Sequence, residues 1–337
     1  MPQIIPIRNL KNTAEISEKC GAHVYKREDT EHIGKGYALC ELRKHINKDY
    51  PDGFDGYFVF DADNILDERF IEEMNNEFNA GNEVVTGFRN TKNFGDNWVS
   101  AAYGLLFLRE SELLNYPREV LGLSCFVSGT GYCFSRMVAD EIGDWPFHLL
   151  TEDAQFSIDS INNNRKIHYC RSAVFYDEQP TKFSQAWIQR LRWCKGYWQV
   201  FAQYGKDLLS GIFHGNFACY DMTMAIMPAF ILTSLSVVSN IGLIVSALLT
   251  KVPLYIALFS IGSFLFSLYF TAFLVGAVLT VYEWKHIRMS AIKKIMYLFT
   301  FPIFMLSFCP IAIQSIFVKP EWKCIEHTRT VGDINNH

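Results

Sequence analysis

The chain has 337 residues, of which 50% are hydrophobic, and its formal net charge is −4 at pH 7. This length allows one large or two medium domains. The charge balance excludes the basic excess that is typical of proteins that bind nucleic acid. Asp, Glu, Lys and Arg are absent from three long segments, residues 222–250, 252–282 and 295–318. A membrane crossing needs about 20 apolar residues, so we expect a water-soluble domain followed by a membrane region.

The first part of the chain alternates short apolar segments with segments of helical period. The strand-like segments are residues 4–7, 23–25, 57–60 and 84–88, and the helical ones are residues 13–20, 37–46 and 70–78. Residues 57–60 form an apolar run between Gly56 and Asp61, which is typical of a buried parallel strand. The alternation predicts an α/β fold with a mainly parallel sheet between layers of helices.

Nine cysteines are scattered along the chain without any C-x-x-C pair. This spacing argues against a zinc site and favours single thiols in a reducing compartment. Residues 1–12 lack the basic head and apolar run of a secretory signal peptide. We therefore expect the soluble domain to be cytoplasmic.

Two acidic motifs follow apolar segments. Asp61-Ala62-Asp63 comes directly after the strand-like residues 57–60, and the carboxyl edge of a parallel sheet is where open α/β folds bind ligands. Glu152 and Asp153 follow Thr151 after a second apolar stretch. By itself this second motif is explained as a helix start, with Thr151 as the cap and acids in the first turn.

A third motif combines cations with aromatic residues shortly before the first charge-free segment. Gln189, Arg192 and Trp193 are three and four residues apart, so they share one face of a helix. The opposite face is apolar and carries Trp187, Leu191, Cys194 and Trp198. An interfacial helix on the membrane surface explains the apolar face, but it does not explain why Gln189 and Arg192 lie beside Trp193.

The order D-x-D, T-E-D, Q-x-x-R-W and then membrane segments resembles the membrane-integrated inverting family 2 glycosyltransferases, the group of cellulose, chitin and hyaluronan synthases. The resemblance extends over roughly residues 14–329 in motif order. Residues 34–39 look like the family's lysine-containing loop, and residues 128–131 look like the loop that lines the acceptor and donor sugar. Trp322-Lys323 and residues 327–329 look like the gating segment. The family implies a GT-A-like layered α/β/α domain.

The resemblance also implies roles for individual residues. Lys35, Asp61 and Arg192 would contact the nucleoside diphosphate of the donor. Asp63 would bind Mg²⁺ or Mn²⁺, and Asp153 would be the general base. The acceptor would be bound by Gln189, Trp193, Gly129 and Thr130.

The implied function is transfer of a sugar from a nucleotide-sugar donor, expected to be UDP-linked, to the hydroxyl of a glycan or a lipid-linked acceptor. One base and in-line attack invert the anomeric carbon and give a β-linkage. The reaction would occur at the cytoplasmic face of the cell membrane by a multi-pass protein, with polysaccharide synthesis as the expected process. With so few helices, a complete translocation channel would need a second copy or a membrane partner. Transfer to a lipid or a short acceptor is therefore the alternative to polysaccharide synthesis.

These features divide the chain into four parts. Residues 1–182 are the expected transferase domain, residues 183–220 the interfacial helices, residues 221–318 the membrane region and residues 319–337 a basic tail. Basic residues flank both ends of residues 295–318, and cytoplasmic loops are rich in Lys and Arg. This favours a bent, re-entrant or interfacial third segment that keeps the tail cytoplasmic, with a simple third span as the alternative.

The resemblance is incomplete at the start of the chain. The family's first strand, its nucleoside contacts and a preceding membrane helix have no counterpart before residue 14. The chain is therefore expected to be a truncated reading frame or one half of a split enzyme, with a non-catalytic homologue acting as a membrane partner as the second hypothesis. A transporter is disfavoured because the three charge-free segments contain no ionisable residue that would mark a pathway.

Overall fold

A five-stranded sheet forms the centre of the N-terminal part of the computed structural model, which describes residues 3–4, 13–27, 29, 31–250 and 253–318. The strands are β1 (Gln3–Ile4), β2 (His23–Val24), β3 (Gly56–Val59), β4 (Ile65–Leu66), β5 (Val84–Thr91), β6 (Tyr132–Ser135) and β7 (His168–Asp177). The five strands lie in the order β3-β6-β5-β7-β4, and β1 and β2 form a separate parallel pair.

The prediction of an α/β domain is confirmed, but the sheet is mixed rather than mainly parallel. β5 and β7 are parallel, whereas β3 with β6, β5 with β6, and β4 with β7 are antiparallel. The difference arises because β6 inserts between β3 and β5 in the opposite direction. An apolar segment as short as β6 gives no signal of its direction in the sequence.

Helices cover both faces of the sheet and continue to the end of the described chain. They are α1 (Thr13–Lys19), α2 (Lys35–Asp49), α3 (Phe70–Asn79), α4 (Trp98–Leu108), α5 (Tyr116–Val120), α6 (Arg136–Ile142), α7 (Glu152–Asn162), α8 (Phe183–Phe213), α9 (Phe217–Ile226), α10 (Pro228–Leu249), α11 (Leu254–Tyr282), α12 (Ala291–Leu306) and α13 (Phe308–Phe317). A π-helical segment, Arg109–Asn115, joins α4 to α5.

Successive residues of β5 are buried on opposite faces of the sheet, as expected for a strand covered on both sides. Val85 packs in one cluster with Phe70 of α3. Val84 packs in a second cluster that includes residues of α4 and α7 and also Phe301 of α12. The core of the sheet domain is therefore continuous with the C-terminal helices.

Three helical segments are long and apolar enough to cross a membrane by length and composition, and they are Ala229–Leu249, Leu258–Tyr282 and Ala291–Phe317. The third is interrupted at Ser307, between α12 and α13. Pro302 lies inside α12, where it removes a backbone hydrogen bond. The interruption agrees with a bent third segment, while a re-entrant path remains a prediction.

Arg190 of α8 caps this interruption. Its side chain is fully buried, and its Nη1 donates to the carbonyl oxygen of Phe304 at 2.9 Å and to Oγ of Ser307 at 2.7 Å. The guanidinium also lies over the Phe304 ring, with its Cζ 3.9 Å from the ring centroid. A cation at the carboxyl end of a helix satisfies carbonyls that lack helical partners. Arg190 therefore joins α8 to the end of α12.

A second polar contact joins the soluble domain to α9. Nε of Arg118 donates to Oδ2 of Asp221 at 2.7 Å, and Nη2 donates to Oδ1 at 3.0 Å. Arg118 is only 5% exposed. A guanidinium that loses its carboxylate in such surroundings remains a desolvated charge, for which the neutral Asn115 amide, 3.2 Å from Nη1, compensates only in part.

We predict that Asp221→Asn lowers the free energy of unfolding by about 1–3 kcal/mol, because it leaves the Arg118 guanidinium buried without a charged partner. The matched control is Arg69→Gln, which breaks the exposed pair of Arg69 and Glu73, 3.8 Å apart, and should change stability by less than about 1 kcal/mol. Thermal unfolding of the detergent-solubilised protein measures both. Equal melting temperatures for the two variants would contradict the assignment.

Candidate active site

The first turn of α2 brings a lysine to the end of β3. Nζ of Lys35 donates to Oδ1 of Asp61 at 2.5 Å and to the carbonyl oxygen of Gly129 at 2.5 Å. The turn lies close to the loop that precedes α7 because Gly36 has no β-carbon. A β-carbon at Gly36 would lie 1.9 Å from the carbonyl oxygen of Phe147. Lys35 thus joins the D-x-D motif to the loop at residues 128–131.

A hydroxyl and an amide hold the backbone of the D-x-D motif. The amide of Asp61 donates to Oγ1 of Thr130 at 2.9 Å and to Oδ1 of Asn64 at 3.1 Å. The Thr130 hydroxyl in turn donates to Oδ1 of Asn64. The loop can approach because Gly129 and Gly131 have φ values of +82° and +68°, a conformation that favours glycine.

Asp63 lies on the other side of the D-x-D motif, near the end of β7. Its Oδ2 accepts a hydrogen bond from the amide of Glu178 at 3.0 Å, and its carbonyl oxygen accepts from Nζ of Lys92 at 2.5 Å. Nearby, Nε of Arg89 donates to Oδ2 of Asp177 at 2.7 Å. The carboxylate of Asp63 is therefore fixed at the edge of the sheet.

The donor set around Asp63 fits a cation that phosphate oxygens help to bind. Within the described ranges, no three His, Cys, Asp or Glu side chains form a ready-made metal site. Mg²⁺ usually keeps one or two carboxylates and takes its other ligands from substrate phosphates and water. Asp63 together with a diphosphate meets that requirement.

Asp153 lies in the first turn of α7 and faces the glycine loop. A β-carbon placed on Gly129 would lie 3.4 Å from Oδ2 of Asp153. Burial raises the pKa of the Asp153 carboxyl, and the nearby Glu110 carboxylate raises it further, while Lys35 acts in the opposite direction. A carboxylate with a raised pKa is a stronger base than an exposed aspartate, which suits proton abstraction.

The charges around Lys35 complete the electrostatics of the site. Burial alone would lower the pKa of the Lys35 ammonium, but Asp61 and Glu152 raise it above its ordinary value. Burial also raises the pKa of Glu152, and the charge of Asp153 adds to the effect. One half-buried cation therefore offsets the acids of two motifs that are far apart in the sequence.

Helix α8 packs directly on the T-E-D motif. Gly196 permits this contact, because a β-carbon there would lie 2.9 Å from the amide nitrogen of Thr151 and 2.5 Å from its Oγ1. One turn later, Oε1 of Gln199 accepts a hydrogen bond from the amide of Leu150 at 3.3 Å. The helix that carries Q-x-x-R-W is thereby fixed against the start of α7.

The three residues of Q-x-x-R-W are half-buried on α8. The Trp193 ring contacts Tyr103 and Phe107 edge to face, with centroid distances of 5.9 Å and 6.0 Å. Oε1 of Gln189 is buried and has no hydrogen-bond partner among the described residues. Burial raises the pKa of Tyr103, and the nearby charges of Arg190 and Arg192 act in the opposite direction.

The apolar face of α8 differs from the sequence interpretation. Leu191 and Cys194 are 6% and 1% exposed and pack in a cluster with residues of α7, α9 and α13. Nε1 of Trp187 donates to Oε1 of Gln314 at 2.7 Å. Of the four apolar residues, Trp198 is the most exposed at 39%. Most of this face therefore contacts other helices of the protein, which the sequence pattern alone does not distinguish from contact with lipid.

Hydrogen bonds bring four of the predicted site residues together, namely Lys35, Asp61, Gly129 and Thr130, and Asp153 lies beside Gly129. Asp63 is two residues from Asp61, and Gln189, Arg192 and Trp193 lie on the helix that contacts Thr151. The predicted gating residues around Trp322 are outside the described part of the chain. Sequence analysis missed Asn64, Arg89, Asp177 and Glu110. Asn64 directly follows the D-x-D motif and Asp177 ends an apolar strand, so both carried a usable signal.

Comparison with known proteins decides the family. Residues 58–313 match the glycosyl transferase family group 2. The chain belongs to this family.

Curated glycosyltransferases match shorter parts of the chain. The probable glycosyltransferase YdaM of Bacillus subtilis is 27% identical over 70 residues, which are 21% of this chain and 17% of YdaM. A probable glycosyltransferase of Sulfolobus acidocaldarius is 29% identical over 91 residues, 27% of this chain and 19% of the relative. The matched segments thus span less than a fifth of these relatives' length.

The fold is similar to that of the mannosyltransferase PcManGT from Pyrobaculum calidifontis, solved in complex with GDP-Man and Mn²⁺. The TM-score is 0.56 at 12% sequence identity, and the match covers 94% of this chain and 77% of PcManGT. This likeness establishes a GT-A-like α/β domain followed by apolar helices.

We predict that Gly196→Ala lowers the rate of sugar transfer by about 10- to 100-fold, because displacement of catalytic groups by about 1 Å has effects of that size. The new methyl group would meet the backbone of Thr151 and push α8 away from α7. Gly242→Ala is the control, since a β-carbon at Gly242 has nothing within 4 Å. Wild-type turnover in the Gly196 variant would show that the contact does not position α8.

Proposed function

We propose that this glycosyltransferase transfers a sugar from a nucleoside diphosphate sugar to a hydroxyl acceptor with inversion, using Asp153 as the general base. The observation that carries the proposal is the pair of contacts made by Lys35 with Asp61 and Gly129. Since Gly129 also lies against Asp153, the donor-side carboxylate and the base are on two sides of one loop. A sugar bound at this loop would have its anomeric carbon between leaving group and acceptor.

The reaction balances without any oxidant or reductant. The acceptor hydroxyl loses its proton to the Asp153 carboxylate while its oxygen forms a bond to the anomeric carbon. The bond from that carbon to the diphosphate breaks, and the nucleoside diphosphate leaves with the electron pair. Attack opposite the leaving group converts an α-linked donor into a β-linked product.

The donor side is assigned to cations and to the D-x-D motif. Asp61 and Lys35 would contact the nucleoside diphosphate, and Arg192 would bind the phosphates through its fork of N–H donors. Asp63 would hold Mg²⁺ or Mn²⁺. A divalent cation bound there supplies charge stabilisation for the departing diphosphate. The donor is expected to be UDP-linked. Because PcManGT was solved with GDP-Man, a GDP-linked sugar is the second donor to test.

The acceptor side is assigned to α8 and the glycine loop. A buried amide oxygen such as Oε1 of Gln189, which has no partner within the described part of the chain, is usually satisfied by a ligand or by water. Trp193, Gly129 and Thr130 complete the acceptor surface. Because α8 also contacts the apolar helices α12 and α13 through Arg190, we place the reaction at the cytoplasmic membrane surface, with a glycan or lipid-linked acceptor for polysaccharide synthesis.

We predict that Asp153→Asn abolishes transfer, by a factor of about 100 or more, because an amide cannot accept the acceptor proton. Binding of UDP or GDP, measured by calorimetry on the solubilised protein, should be retained. Asp159→Asn is the matched control on the same helix and should keep transfer activity. If the Asp153 variant turns over at the wild-type rate, the base is another residue.

We predict that membranes containing the protein release nucleoside diphosphate from one of three donors, UDP-glucose, UDP-N-acetylglucosamine or GDP-mannose, and that EDTA stops the release. Mg²⁺ or Mn²⁺ should restore it, and Asp63→Asn should raise the metal concentration needed for half-maximal rate. NMR of the product should give a β-anomer from an α-linked donor. Release that persists in EDTA contradicts the metal assignment. Absence of release from all three donors under every condition favours a non-catalytic partner.

A further inference from the structure

The π-helical segment Arg109–Asn115 places a carboxylate beside the glycine loop that the reaction scheme leaves without a role. The Ser128 hydroxyl donates to Oε1 of Glu110. Ser128 directly precedes Gly129, the residue that Lys35 and Asp153 approach. Glu110 and Asp153 therefore contact consecutive residues of one loop. Single π-helical turns of this kind are rare and occur often at functional sites.

We propose that Glu110 is a positioning residue for the general base, holding the loop through Ser128 and placing a second negative charge near Asp153. The proposal rests on the proposed function, because it needs Asp153 to be the base. It assigns to Glu110 a role in setting how strongly Asp153 holds a proton.

The charged and titratable groups that face Asp153 come from several elements. They are Lys35 of α2, Glu110 of the π-helical segment, Tyr132 of β6, Glu152 of α7 and Tyr197 of α8. Lys35 is engaged by Asp61 at 2.5 Å, so its charge is largely offset on the donor side. Glu110 is the group outside the T-E-D and D-x-D motifs that adds a negative charge.

The sign of the effect follows from this arrangement. A negative neighbour favours the protonated form of a carboxyl and raises its pKa, and Glu110 acts on Asp153 in this direction. Asp153 accepts a proton only when it is deprotonated, so activity falls as the pH drops through its pKa. Removal of the Glu110 charge lowers that pKa, which moves the acid limb of the rate profile to lower pH and makes Asp153 a weaker base.

Two substitutions separate the charge of Glu110 from its hydrogen bond. Glu110→Gln keeps an oxygen that can accept from Ser128 but removes the charge. Ser128→Ala removes the hydrogen bond but keeps the charge. The measurement is kcat as a function of pH, followed as release of UDP or GDP by the full chain in detergent. The donor is whichever of UDP-glucose, UDP-N-acetylglucosamine and GDP-mannose the wild-type protein uses.

Glu110→Gln should shift the acid limb of kcat to lower pH by about 0.5–1 unit and lower the plateau by roughly 2- to 10-fold. Ser128→Ala should leave the position of the acid limb unchanged, and Glu110→Asp should restore it towards the wild-type position. Melting temperature and nucleotide binding show that each variant is folded. A Glu110→Gln profile with the wild-type acid limb overturns the proposal, even when Asp153→Asn is inactive. An active Asp153→Asn variant overturns the proposed function instead.

Discussion

The site depends on the partial burial of one ammonium group, that of Lys35, whose side chain is 19% exposed. Withdrawing a lysine from water costs free energy unless charged and polar partners replace the solvent. Asp61 and the Gly129 carbonyl supply those partners for Lys35 at 2.5 Å each. This requirement fixes three parts of the chain at once, the first turn of α2, the end of β3 and the loop before β6. Gly36 is necessary for the same reason, since the turn must approach the carbonyl of Phe147 to bring the ammonium into place.

The position of Lys35 also links the proposed base, Asp153, to the charges on the donor side. Glu152 is buried and Asp153 half-buried, and desolvation opposes the ionisation of both carboxyls. The charge of Lys35, which Asp61 holds on the donor side, lowers the pKa of both carboxyls and so offsets part of the effect of desolvation. Ligation of the donor diphosphate would change the charge around Lys35 and therefore the ease with which Asp153 releases its proton. In the proposed reaction, a donor bound at Lys35 would thus act on the protonation of Asp153 through a single side chain.

Several parts of the site could be predicted from sequence because they depend on local position. Asp61 and Asp63 were found from an acid pair at the end of an apolar strand, and Lys35 and the Gly129 loop from their resemblance to family motifs. The mixed direction of the sheet was not predictable, because an apolar run has the same period in both directions. Contacts such as that of Arg89 with Asp177, 88 residues apart, also leave no local pattern.

Other differences come from burial, which periodicity cannot measure. Arg190 is a cation within a polar-aromatic motif, yet its side chain has no exposed surface. Its partners are a carbonyl and a hydroxyl more than a hundred residues away. Leu191 and Cys194 have the pattern of a lipid-facing surface, but helices of the protein cover them. For Leu191 and Cys194 the pattern correctly identifies an apolar environment, but it does not show whether lipid or protein provides that environment.

The capping of the third apolar segment by Arg190 has a consequence for the lipid environment. Helices whose length does not match the bilayer tilt or bend to bury their apolar surface, a response known as hydrophobic mismatch. Tilt of Ala291–Phe317 in a bilayer would act on Ser307 and Phe304, and through Arg190 on the helix that carries Gln189, Arg192 and Trp193. Membrane thickness would then be a variable of the catalytic geometry, and acyl-chain length would influence the enzyme without any lipid entering its active site.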